Sequence, residues 1–79
     1  MKRTLNELRK YLLSLVNHVD FSWNGKRGFI DPYNHKKYLF FFGEDDPGTE
    51  FHDVDELLNA PYLDGRSLAQ VCGEAEFWS

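Results

Sequence analysis

A chain of 79 residues has room for one domain, and a single cysteine, Cys72, leaves no internal disulfide to hold it. The net charge of −4 is divided unevenly: residues 1–40 carry eight Lys/Arg against three carboxylates, net +5, and residues 41–79 carry one against ten, net −9. Tandem domains, disulfide scaffolds and a uniformly basic nucleic-acid binder are thereby excluded, and a cation-rich half facing an anion-rich half remains to be placed.

A domain this small buries a thin core, and such domains commonly draw further stability from a metal, a disulfide or a partner. With no disulfide and no ligand cluster, self-association or a protein partner is the expectation. Glu7, Arg9 and Lys10 break up the start of the chain, so it does not read as a signal peptide. No apolar run is long enough to span a bilayer, and the lone cysteine fits a reducing compartment. The expected setting is cytoplasmic.

Thr4-Leu5-Asn6-Glu7 has the spacing of a capping box. Leu5, Leu8, Leu12, Leu15, Val16 and Val19 then recur at three- and four-residue steps, which predicts a helix from Leu5 to about His18, with Leu13 widening its apolar face. Val19-Asp20-Phe21-Ser22-Trp23 changes to a period of two and predicts a strand. Asn24-Gly25 is a hairpin turn, and Gly28-Phe29-Ile30-Asp31 is the return strand. Asp31-Pro32-Tyr33-Asn34 reads as a second turn.

The run Lys37-Tyr38-Leu39-Phe40-Phe41-Phe42-Gly43 is apolar on both faces and is expected at the centre of the sheet. After an acidic loop from Glu44 to Glu50, Thr49 to His52 can add a short fourth strand. Asp53 and Ser67 are helix caps, and Pro61 separates the two short helices they start. Phe77 and Trp78 are too apolar to leave in water, so the C-terminus is expected to dock.

The candidate chemistry is sparse. His18, His35 and His52 lie 17 residues apart, without the close pairing of a structural zinc site. Cys72 sits on an apolar stripe between acidic neighbours, the setting of an inert packing thiol. No glycine-rich phosphate loop and no calcium loop occurs. No cofactor and no catalytic residue is expected. Trp23, Lys26, Arg27, Tyr33, Lys36 and Lys37 interleave aromatics with cations, the composition of a face that stacks single-stranded bases. Asp20 and Asp31 in the same strands, and a pI of about 5.2, oppose that use.

The stretch Asp53-Val54-Asp55-Glu56-Leu57-Leu58-Asn59-Ala60-Pro61-Tyr62-Leu63-Asp64-Gly65-Arg66-Ser67-Leu68 resembles one that recurs in small proteins of Gram-positive bacteria and their mobile elements. The resemblance covers about a fifth of the chain and implies no activity, cofactor or catalytic residue. The expectation from the whole chain is an α+β fold. It comprises a small three- or four-stranded antiparallel meander with an N-terminal helix and two C-terminal helices packed on one face. The opposite face then keeps an apolar patch of Ile30, Leu39 and Phe41, the candidate interface of a non-catalytic, self-associating interaction module. The alternative is an accessory protein that binds nucleic acid through its basic half.

Overall fold

Thr4 caps the first helix as its spacing predicts. Its hydroxyl accepts from the Glu7 amide at 3.2 Å, while the Glu7 carboxylate accepts from the Thr4 amide at 2.9 Å. The computed structural model describes residues 2–15 and 18–78. Helix α1 (Leu5–Ser14) stops earlier than the apolar stripe suggests, because Leu15 turns into the left-handed region at φ 56°. Val16 and Asn17, which the predicted helix includes, lie outside the described residues. Leu8 and Leu12 are fully buried, whereas Leu5 and Leu13 at the rim of the stripe are about two-fifths exposed.

Strands β1 (Val19–Trp23), β2 (Lys26–Asn34) and β3 (Lys37–Phe42) form the antiparallel meander. Asn24 and Gly25 both take positive φ, 52° and 79°, as a two-residue turn of this hand requires. Strand β4 (Thr49–Phe51) pairs with β3 and is the fourth strand. Helices α2 (Val54–Asn59) and α3 (Leu68–Val71) follow, and strand β5 (Glu76–Phe77) closes the order β4-β3-β2-β1-β5.

Three features depart from the sequence reading. The meander gains a fifth strand, because the C-terminus docks by adding Glu76 and Phe77 to the free edge of β1. The middle strand is β2, with β3 internal beside it. The second turn also falls later: β2 runs through Pro32 to Asn34, with a register shift between them. Pro32 is tolerated there because β1 begins only opposite Ile30, so that flank of β2 asks for no amide from residue 32.

All three helices serve one face of the sheet. Val19, Phe21, Ile30, Tyr38 and Phe40 from the strands meet Leu8, Leu12, Leu57, Leu63, Leu68 and Val71, every one of them with no exposed surface. Phe21 is the hub, with its ring against those of Phe40, Phe42 and Phe77 at 5.8–6.3 Å. Burial of each such side chain contributes about 1.5–3 kcal/mol.

The two oppositely charged halves meet within the fold. Lys2 pairs with Glu76 at 3.7 Å, Arg9 with Asp55, and Lys26 with Asp64 at 3.1 Å, each joining the basic part of the chain to the acidic part. These pairs are exposed and individually weak. Their effect is to use part of the charge asymmetry inside one molecule.

Candidate functional site: the open face of the sheet

Side chains alternate along a strand, so the residues between the core positions share the opposite face. The register gives that face row by row. Asp20, Phe29 and Phe41 lie across β1, β2 and β3, and Asp31, Leu39 and Glu50 lie across β2, β3 and β4. Ser22 and Arg27 form a third row with Glu76 on β5. No helix covers these rows, and Phe29, Leu39 and Phe41 are all part-exposed.

The apolar centre is built from rings. Phe29 and Phe41 lie 5.9 Å apart, and His18 stacks on Phe29 at 5.0 Å with its Nε2 3.0 Å from the Asp20 carboxylate. Phe41 lies across Gly48, where a Cβ would come within 2.3 Å of the ring. Only glycine fits beneath it. Trp78 extends the surface from the C-terminal edge: its amide donates to the Asp20 carbonyl at 2.9 Å, the residue is 56% exposed, and the Arg27 guanidinium lies over its ring at 5.1 Å. Such a cation–ring contact at the surface contributes about 0.5–1 kcal/mol.

Of the three predicted interface residues, Leu39 and Phe41 lie on this face. Ile30 does not: it has no exposed surface and packs in the core. The correction was available in the sequence. A two-residue turn at Asn24-Gly25 makes Trp23 the partner of Lys26, which brings Ile30 opposite Val19 and therefore onto the core face. Phe29 takes its place in the patch. Trp78 and His18 join it through pairing that no local pattern announces.

The six residues of the predicted base-stacking face do not form one surface. Trp23 and Lys26 sit on the helix side of the β1–β2 turn, where Lys26 bonds Asp64 and lies 5.5 Å from the Phe42 ring. Arg27 is on the open face beside Trp78. Tyr33, Lys36 and Lys37 cluster at the far end of the hairpin, with Lys37 over the Tyr33 ring at 5.0 Å. Lys26 and Tyr33 stand seven positions apart along the strand, about 23 Å.

Cys72 is buried, and its thiol donates to the Arg3 carbonyl at 3.2 Å. Burial and the nearby Glu7 push the thiol upward, which disfavours the thiolate despite Arg3. His18 and Asp20 form an imidazole–carboxylate pair, and Ser22, a hydroxyl on the same face, is four residues from His18, about 13 Å of strand. Among the described residues no group of three or more His, Cys, Asp or Glu could hold a metal ion. No helix among them is long and apolar enough to cross a membrane.

A structural cluster that the acidic composition concealed lies at the β3–β4 loop. The Asp46 carboxylate accepts from the Phe42 amide at 2.8 Å, the Gly48 amide at 2.9 Å and the Tyr62 hydroxyl at 2.6 Å. Tyr62 in turn accepts from Thr49 at 3.0 Å and packs its ring on Phe40. Burial raises the Asp46 carboxyl, but these three donors outweigh it and hold the group below the usual aspartate range. Asp46 is thus a staple from the loop to the chain between α2 and α3. A groove of about 500 Å³ beside it is lined by Lys26, Arg27, Phe42, Glu44, Asp45 and Asp46. Lys26, Arg27 and Asp46 already have the partners described.

No protein-family model, no curated protein and no solved structure matches this chain.

Proposed function

We propose that this chain is a non-catalytic protein-interaction module that self-associates through the open face of its sheet. The observation that carries this reading is the segregation of the helices. All of them pack on the Phe21/Phe40 face, and the aromatic centre of the other face, Phe29 with Phe41, stays part-exposed beside the exposed Trp78. Contiguous apolar surface rimmed by charge is the usual anatomy of an interface. The non-catalytic reading is supported by the same inventory: a buried thiol whose thiolate is disfavoured by burial, and an imidazole–carboxylate pair that lies about 13 Å of strand from the Ser22 hydroxyl.

The open face also favours a protein over a nucleic acid. Asp20, Asp31, Glu50 and Glu76 outnumber Arg27 and Lys37 on it, so it repels phosphates instead of tracking them. Light scattering of the wild type and of Phe41→Glu, in low and high salt, tests the proposal. The wild type is expected to associate with modest salt dependence, and Phe41→Glu to stay folded and monomeric. A wild type that remains monomeric at high concentration in both salts overturns self-association. Binding of a single-stranded oligonucleotide that falls steeply with salt supports the nucleic-acid alternative in its place.

A further inference from the structure

We propose that the occupant of the open face is a second copy of this chain, docked about a two-fold axis that crosses β2 at Phe29 and pairs Arg27 of each copy with Asp31 of the other. The inference rests on the interaction-module reading above and adds the register and the residues that set it. On the open face β2 presents Arg27, Phe29 and Asp31 in turn: a cation, a ring and a carboxylate at equal two-residue spacing. This sequence of charges is complementary to its own reversal.

A two-fold axis lying between the sheets and perpendicular to β2 performs that reversal. It stacks Phe29 on its counterpart and brings each Arg27 opposite an Asp31, giving the self-complementary contact of an isologous dimer. An axis parallel to the strand would instead place Arg27 on Arg27 and Asp31 on Asp31. Face-packed sheets lie about 10 Å apart, a gap that an arginine and an aspartate bridge together. The two groups cannot satisfy each other within one chain, because they stand four positions apart along the strand, about 13 Å. Among the described residues neither Asp31 nor Arg27 makes an ion pair, and the Arg27 guanidinium lies over the Trp78 ring.

The same operation is favourable on the neighbouring strands. On β3, Leu39 lies two residues before Phe41 and Gly43 two residues after it, so Leu39 of one copy is brought over Gly43 of the other. A Cβ at Gly43 would meet nothing within 4 Å, so there is open space above that backbone to receive the leucine. Next to β1, His18, the residue before its first, comes over Ser22, a neutral hydrogen-bonding group. Asp20 falls on the axis row and approaches its own counterpart. The His18 imidazole 3.0 Å away and the roughly 30° rotation of aligned sheets moderate that contact.

Charge exchange tests the register. Arg27→Asp and Asp31→Arg, each alone, are expected to weaken self-association at least about 100-fold, since each sets like charges opposite one another twice. An equimolar mixture of the two variants is expected to form a heterodimer of near wild-type affinity. In the mixture one chain carries two aspartates and the other two arginines, and every contact is again opposite in sign. Circular dichroism confirms that each variant is folded. If both single variants associate like the wild type, or if the mixture of folded variants stays monomeric, the pairing is wrong. Should that happen while Phe41→Glu still abolishes association, the register falls and the interaction surface stands. A wild type that never associates removes both.

Discussion

Phe40 and Phe41 are chemically identical neighbours on one strand, and the molecule treats them in opposite ways. Phe40 has no exposed surface and sits among Phe21, Phe51 and Tyr62. Phe41 lies on Gly48 beside Phe29, with part of its ring in water. The side of the sheet decides the difference, since the helices pack on one side only. A strand that is apolar on both faces therefore signals two separate demands, and this fold meets one of them internally.

The sharpest way to break the comparison is to place a charge on each side of it. Phe40→Glu is expected to unfold the chain, because an unpaired carboxylate in the core costs more than about 4 kcal/mol. Phe41→Glu is expected to lower stability by less than about 1 kcal/mol. Urea denaturation of the two variants measures the contrast, and equal losses would mean that both faces are core.

A smaller change tests how tightly the covered face is filled. A Cβ at Gly28 would fall 2.2 Å from the ring of the fully buried Phe21, which is itself held by three other rings. Gly28→Ala is expected to destabilise by about 1–3 kcal/mol through overpacking. A change below about 0.5 kcal/mol would show that Phe21 can move aside, and that the core is looser than its burial suggests.

The Asp46 staple should respond to acid. Its folded carboxyl titrates below the ordinary value of 3.8, so its stabilisation is complete above that value and is lost as the pH falls through the folded one. Asp46→Asn is expected to cost about 1–2 kcal/mol at pH 7. The gap to wild type should narrow in strong acid, where the wild-type carboxylate is protonated as well. A gap that does not narrow as the pH is lowered would assign the effect to something other than the charge.

The smallest expected effect has the opposite sign. The Tyr38 hydroxyl is buried on the core face and finds no hydrogen-bond partner among the described residues. Burial, aided by the charge of Asp53, pushes the phenol upward. Tyr38→Phe removes a desolvated polar group and keeps the ring, so stability should be unchanged or rise by up to about 1 kcal/mol. A loss beyond about 1 kcal/mol in thermal denaturation would show that the hydroxyl is satisfied after all.

Local chemistry alone settled a good deal of this protein. The Thr4–Glu7 and Ser67–Gln70 capping boxes, the Asp53 cap, the Asn24-Gly25 turn and the alternation of β1 and β3 all form where their residue spacing places them. Each depends on groups within a few residues of one another, so the sequence carries it without reference to the fold. The α+β class follows, because an amphipathic helix and a short-turn meander have few ways to bury their apolar faces together.

What only the tertiary structure decided involves partners far apart in the chain. Glu76 and Phe77 become a strand because β1 offers them a free edge, and two residues carry no periodicity from which a strand could be read. Trp78 reaches the open face because the C-terminus pairs with β1, where Arg27 then lies over its ring. Asp46 leaves the solvated acidic loop because Tyr62, 16 residues away, brings it a hydroxyl. The opposite charges of the two halves are partly spent on each other through Lys2, Arg9 and Lys26. Spacing along the chain reports neighbours within a turn or a hairpin, whereas burial and charge pairing are settled by which surfaces the folded chain brings together.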